Sequence, residues 1–157
     1  MECFYEQFQT KDYKGIEKVL NIISKVAIVL TILFASLLNI VGIITFALVY
    51  FVTFIVGRKL IVEYEYELTG DELSIYKIMN KSKRKEVGCF SIREISGVKT
   101  LDKVSNNTKV IKAYLEEAGI KSMVYMAKTS DGVVGFQLAM DENLLNLIKR
   151  VNPLAFY

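Results

Sequence analysis

The chain has 157 residues, with 20 Lys or Arg against 17 Asp or Glu, a net charge of +3 and no histidine. That length holds one compact domain and little besides, and the missing histidine removes the commonest general base and the commonest metal ligand. Charge is segregated: residues 26–57 carry none, while the 100 residues from Arg58 onward carry 16 Lys or Arg and 13 Asp or Glu.

Residues 1–18 place Phe4, Tyr5 and Phe8 among Glu2, Glu6, Gln7 and Gln9. As a helix, this juxtamembrane segment would lay an aromatic face on a membrane surface, the alternative being a frayed terminus. The 32 uncharged residues 26–57 exceed the roughly 20 that cross a hydrocarbon core as a helix. They are more than twice the roughly 7–15 apolar residues of a cleaved signal, and Gly57-Arg58-Lys59 is no small-x-small cleavage site.

One straight helix of that length would need an extreme tilt, or the segment could re-enter without crossing; two spans fit better. The reading is a helical hairpin over 19–59, with spans at about 19–38 and 41–58, turning near Asn39 and Gly42 and letting Lys25 snorkel. Lys11, Lys14, Lys18 and Lys25 precede the apolar run, and Arg58 and Lys59 follow it. By the positive-inside tendency both flanks, and so both termini, are cytoplasmic, which makes a multi-pass protein of the cell membrane. Cys3 and Cys89 are isolated, without the spacing of a disulfide framework or metal site.

Beyond Lys59 the period changes to alternation. Val62, Tyr64, Tyr66 and Leu68 fall on one side of a strand, and Glu63, Glu65 and Glu67 on a solvated side. Gly70-Asp71 reads as a two-residue hairpin loop leading to a second strand over 72–80. Lys81, Lys83, Arg84 and Lys85 form an exposed basic loop, and 86–92 a third strand weakened by Gly88. A short strand fits 98–101. Val110, Ile111, Tyr114, Leu115 and Ala118 recur at helical spacing, so 110–118 reads as a short helix, a strand being the alternative. Asp131-Gly132 marks a second hairpin with Ser130 opposite Val133, Met123 opposite Met140, and Met123, Tyr125, Ala127, Val134, Phe136, Leu138 and Met140 on the core face. Asp141 should cap a C-terminal helix over 141–151, with Leu144, Leu147, Ile148 and Val151 as its apolar stripe.

The fold class is therefore an α+β membrane protein: an N-terminal transmembrane hairpin, then a mostly antiparallel β domain over 60–157 closed by a helix. The strand and turn Tyr64-Glu65-Tyr66-Glu67-Leu68-Thr69-Gly70-Asp71-Glu72-Leu73-Ser74-Ile75 resembles the first hairpin of bacterial pleckstrin-homology-like domains. With its start Met1-Glu2-Cys3-Phe4-Tyr5-Glu6-Gln7 and the Lys83-Arg84-Lys85 tract, the whole chain is similar to a bacterial family of short two-span membrane proteins with such a C-terminal domain. That resemblance implies a seven-strand meander with a C-terminal helix and carries over no catalytic or ligand residue.

No nucleotide-binding or nucleophile-elbow motif is present, so no catalytic, cofactor or metal residue is assigned. The function expected is a membrane-anchored binding or scaffold module, with the bilayer and a protein partner or further copies of itself as partners. Nucleic acid is not among them, since no aromatics interleave the basic patch. The alternatives are anionic lipid contact through Lys81, Lys83, Arg84 and Lys85, because each cation near an anionic leaflet gains about 1 kcal/mol, and, as a remoter reading, an enzyme on a lipid or peptide.

Overall fold

The computed structural model describes residues 4–105, 108–116, 120–129 and 132–156. Along the chain these form β1 (Phe4–Gln9), α1 (Lys14–Ser36), α2 (Ile40–Leu60), β2 (Val62–Thr69), β3 (Glu72–Met79), β4 (Lys83–Ser91), β5 (Ile95–Lys99), β6 (Val110–Lys112), β7 (Met123–Thr129), β8 (Gly132–Leu138) and α3 (Glu142–Val151), with short 3-10 turns between. They divide into two compact units, one made of Asp12–Val62 and Met79–Lys83, the other of Met1–Lys11, Glu63–Ile78 and Arg84–Tyr157.

The helical unit is an antiparallel pair. α1 starts at Lys14 rather than near residue 19, and the turn falls at Leu37–Asn39, where Leu38 adopts φ +53° and the Asn39 side chain caps α2 by accepting from the Gly42 amide at 2.9 Å. Close packing there depends on Gly42: a Cβ would lie 2.4 Å from the Phe34 ring, which itself stacks on Phe46 at 5.4 Å between centroids. The hydroxyls of Thr31, Thr45 and Thr53 donate to the carbonyls four residues earlier at 2.7–2.8 Å. Polar side chains in these apolar helices thus find partners within their own backbone.

The β unit contains two four-stranded sheets, ordered β1-β2-β3-β4 and β5-β7-β8-β6. Tyr66, Leu68, Leu73 and Ile75 of the first sheet and Val124, Tyr125, Ala127, Phe136 and Leu138 of the second are buried, together with Ile92, Leu144 and Ile148. The sheets meet where Phe90 of β4 stacks on Phe136 of β8 at 4.8 Å. Gly88 is the reason they can: a Cβ on it would stand 2.4 Å from the Phe136 ring. The Tyr66 hydroxyl crosses the core to donate to the Ala113 carbonyl at 2.6 Å. At the far end α3 begins on Asp141, whose carboxylate accepts from the Leu144 amide at 2.8 Å, and Asn152 after its last turn donates to the Ile92 and Ile95 carbonyls at 2.9 Å each.

Several expectations need correction. Residues 4–9 form neither a helix nor a frayed end but a strand, antiparallel to β2 with Phe4 opposite Thr69 and Gln9 opposite Tyr64. The β domain is therefore not wholly C-terminal, and its sheets hold eight strands among the described residues rather than seven. The stretch starting at Val110 is a strand too, and it runs parallel to β8, with Ile111 opposite Phe136; the helical spacing there loses to pairing with an open sheet edge. The second β-hairpin pairs Thr129 with Gly132 and Met123 with Leu138, two residues short of the expected register. Because side chains alternate with period two, that slip leaves the same residues on the core face. Val151, assigned to the buried stripe of α3, is exposed.

Candidate functional site

The basic loop is not a loop. The turn is tight, with Asn80 and Lys81 both left-handed at φ +51° and +53°, and Lys83, Arg84 and Lys85 already belong to β4. Strand alternation sends Arg84 to the opposite side from Lys83 and Lys85. The four cations also have different partners: Lys81 pairs with Glu17 of α1 at 2.5 Å, within the helical unit, while Arg84 bridges Glu65 and Glu67 at 2.7 and 2.8 Å. Lys83 and Lys85 are exposed. Lys81 and Lys83 belong to the helical unit, Arg84 and Lys85 to the β unit.

Arg84, on the edge strand β4, reaches across the first sheet to the carboxylates of β2. Its guanidinium lies 3.6 Å from the centroid of the Tyr76 ring, and the carboxylates of Glu6, Glu65 and Glu67 come within 4.8 Å of one another beside it. The register explains the grouping: Glu6 of β1 is opposite Glu67 of β2, and Phe8 opposite Glu65. Glu65, expected on a solvated face, is only 5% exposed. Burial raises its carboxyl above the usual range, and the Arg84 guanidinium pulls it part of the way back. Phe4 and Phe8 flank the cluster, 61% and 57% exposed. Such a group of carboxylates is a geometry in which cations bind, but Arg84 already occupies its centre and supplies the counter-charge.

The inner side of β1 is polar, the reverse of ordinary patterning. Gln7 and Gln9 are buried and both donate to the Ala139 carbonyl. Their own carbonyls accept from the Asp141 amide and the Leu115 amide at 3.0 Å each, and the Tyr5 hydroxyl donates to the Asp141 carboxylate at 2.7 Å. Sequence reasoning missed this strand. Its residues carry no apolar/polar alternation that could have marked it, since the glutamines face inward and the phenylalanines outward.

A family model described as Bacterial PH-like domain (DUF6106) matches residues 1–157. The chain belongs to that family. No curated protein and no solved structure matches it. The match covers the helices as well as the sheets, so this PH-like family includes the strand that precedes the helices.

Two other features of the PH-like chain bear on chemistry. Cys89 donates its thiol hydrogen to Glu72 at 2.7 Å, and burial, then that hydrogen bond, raises its pKa, so it holds less of the reactive thiolate than a free cysteine. Cys3 lies outside the described residues. In the helical unit a cleft of about 380 Å³ is lined by Glu17, Asn21, Ser24, Tyr50, Thr53 and Lys81 among others, with Glu17 and Lys81 neutralising one another.

Proposed function

We propose that this PH-like chain is a membrane-anchored binding module, not an enzyme: α1 and α2 cross the cytoplasmic membrane as a hairpin, and the β unit presents a surface to a protein partner. Two helices long and apolar enough to span support the anchor. α2 has apolar side chains on every face, as a helix solvated by lipid does. Val41 and Leu38 stay 75% and 87% exposed, which in water would be a large unfavourable surface.

The pairing of β1 with β2 carries the topology. β1 precedes the helices and β2 follows them, yet they are neighbours in one sheet. This pairing favours both flanks of the apolar run lying on one side of a bilayer, and so two crossings rather than one. The flanking lysines favour the cytoplasmic side.

Extraction of native membranes at alkaline pH tests the anchor: the chain should stay in the pellet, and release into the supernatant would end the reading. Reporters fused at each terminus should both be inside, and opposite placement would end the hairpin. Anionic lipid contact is the weaker alternative, since Lys81 is paired with Glu17 and Arg84 with Glu65 and Glu67, and loss of vesicle binding on replacing the exposed Lys83 and Lys85 would be its test.

A further inference from the structure

The four sheet edges of the β unit are not treated alike. An exposed edge offers unpaired N–H and C=O groups to any passing strand, and proteins blunt such edges with lysines, bulges or brevity. β4 opens with Lys83, Arg84 and Lys85. β5 carries a register shift between Ile95 and Gly97, and β6 is three residues long. β1 has none of these devices: six residues, Phe-Tyr-Glu-Gln-Phe-Gln, without lysine or proline, in unbroken register with β2. Its other edge meets no backbone partner among the described residues.

The side chains beside that edge are equally unusual. Phe4 and Phe8 are exposed and Glu6 lies between them, on the same face as Glu65 and Glu67. Three carboxylates there face one guanidinium, and Arg84 bonds to Glu65 and Glu67 but not to Glu6. Residues directly opposite in neighbouring strands share a face, so a strand added to β1 would set one side chain against Glu6 and its neighbours two positions away against Phe4 and Phe8.

We infer that the free edge of β1 docks an extended segment of a partner protein, added as a fifth strand, with Lys or Arg opposite Glu6 and apolar side chains two residues to either side. This deepens the binding-module reading and rests on it. Backbone pairing supplies the attachment, and the charge and the two aromatics supply the choice of sequence. A second copy of this chain is a poorer occupant, because the antiparallel pairing that sets the exposed face Phe4–Phe8 of one copy against the same face of another places Glu6 opposite Glu6, and like charges directly opposite are unfavourable.

The test uses the full chain in nanodiscs of zwitterionic phosphatidylcholine, titrated into the fluorescein-labelled heptapeptide TVTKTVT and followed by anisotropy. The lysine peptide should bind about tenfold more tightly than its counterpart with a central glutamate. E6Q should remove most of that preference, and F4A/F8A should weaken binding of the lysine peptide several-fold. A peptide with proline at both its second and third positions should not bind, since one of two adjacent residues must supply a ladder donor to β1. Equal binding of lysine and glutamate peptides, binding untouched by E6Q and F4A/F8A, equal binding of the proline peptide, no rise in anisotropy at the highest chain concentration reached, or a dimer abolished by F4A/F8A would each overturn the inference. The substituted side chains are exposed, and the proline peptide tests strand addition without altering the protein. Alkaline extraction does not depend on β1's edge, so failure of the anchor and failure of the docking site are separately visible.

Discussion

The two units of this chain deal with apolar surface in opposite ways. In the β unit Tyr66, Leu73, Ile75, Val124 and Leu138 are wholly withdrawn from solvent, and the polar groups that accompany them inward, Gln7, Gln9 and the Tyr66 hydroxyl, are hydrogen-bonded to backbone. In the helical unit Ala27 is the one described apolar residue of α1 that is buried, and most of the leucines, isoleucines and valines of α1 and α2 are exposed. The β unit is stabilised by its own interior. The helices leave much of theirs exposed, so the same substitution should have different consequences in the two places.

Leu73→Ala in the β unit should cost about 2–5 kcal/mol, as large-to-small changes in a close-packed core do, read from urea unfolding by tyrosine fluorescence in detergent micelles. Tyr66→Phe should cost roughly 1–3 kcal/mol, because it leaves the buried Ala113 carbonyl without its donor. Arg84→Gln should cost about 1–2 kcal/mol, between an exposed pair and a hydrogen bond to a buried charge, and its effect should depend on pH. Burial raises Glu65 and Arg84 opposes the rise. A folded carboxyl raised above its unfolded value holds its proton longer, so stability falls as pH climbs from the ordinary carboxylate range to the raised value and is level beyond it. Without Arg84 that window widens, and the variant should recover more stability than the parent on acidification from about pH 7 to about pH 5. Val41→Ala, removing a similar apolar group from the outward face of α2, should change the β unit's unfolding by less than about 0.5 kcal/mol. A loss there as large as that of Leu73→Ala would break the comparison.

What could be read beforehand follows from where the determining interactions lie. The uncharged run of residues 26–57 marks the helices because the signal is local and long. The β2 and β7 alternations, and Asp141 at the start of α3, are likewise local. β6 escaped because its three residues become a strand only by running parallel to β8, a partner more than twenty residues away. The slip in the second hairpin came from placing Gly132 inside the loop, whereas it sits opposite Thr129 at φ +105°. The outer face of the first sheet was invisible for a deeper reason. β1 turns its glutamines inward and its phenylalanines outward, which reverses the rule by which strands are recognised, and its neighbour β2 lies beyond both helices. Arg84 was read as one of four free cations when its assignment depended on Glu65 and Glu67, both on another strand.

That interrupted sheet has a consequence for biogenesis. If the helices enter a bilayer, β1 leaves the ribosome first and must wait, unpaired, until both crossings are made and β2 has been synthesised. A chain with one crossing missed would strand β1 on the opposite side of the bilayer from the rest of the β unit. The Tyr66, Ala139 and Asp141 region would then lack its glutamine partners. Completion of the first sheet would thus act as a check on insertion, exposing misinserted copies to proteolysis because their β unit cannot close.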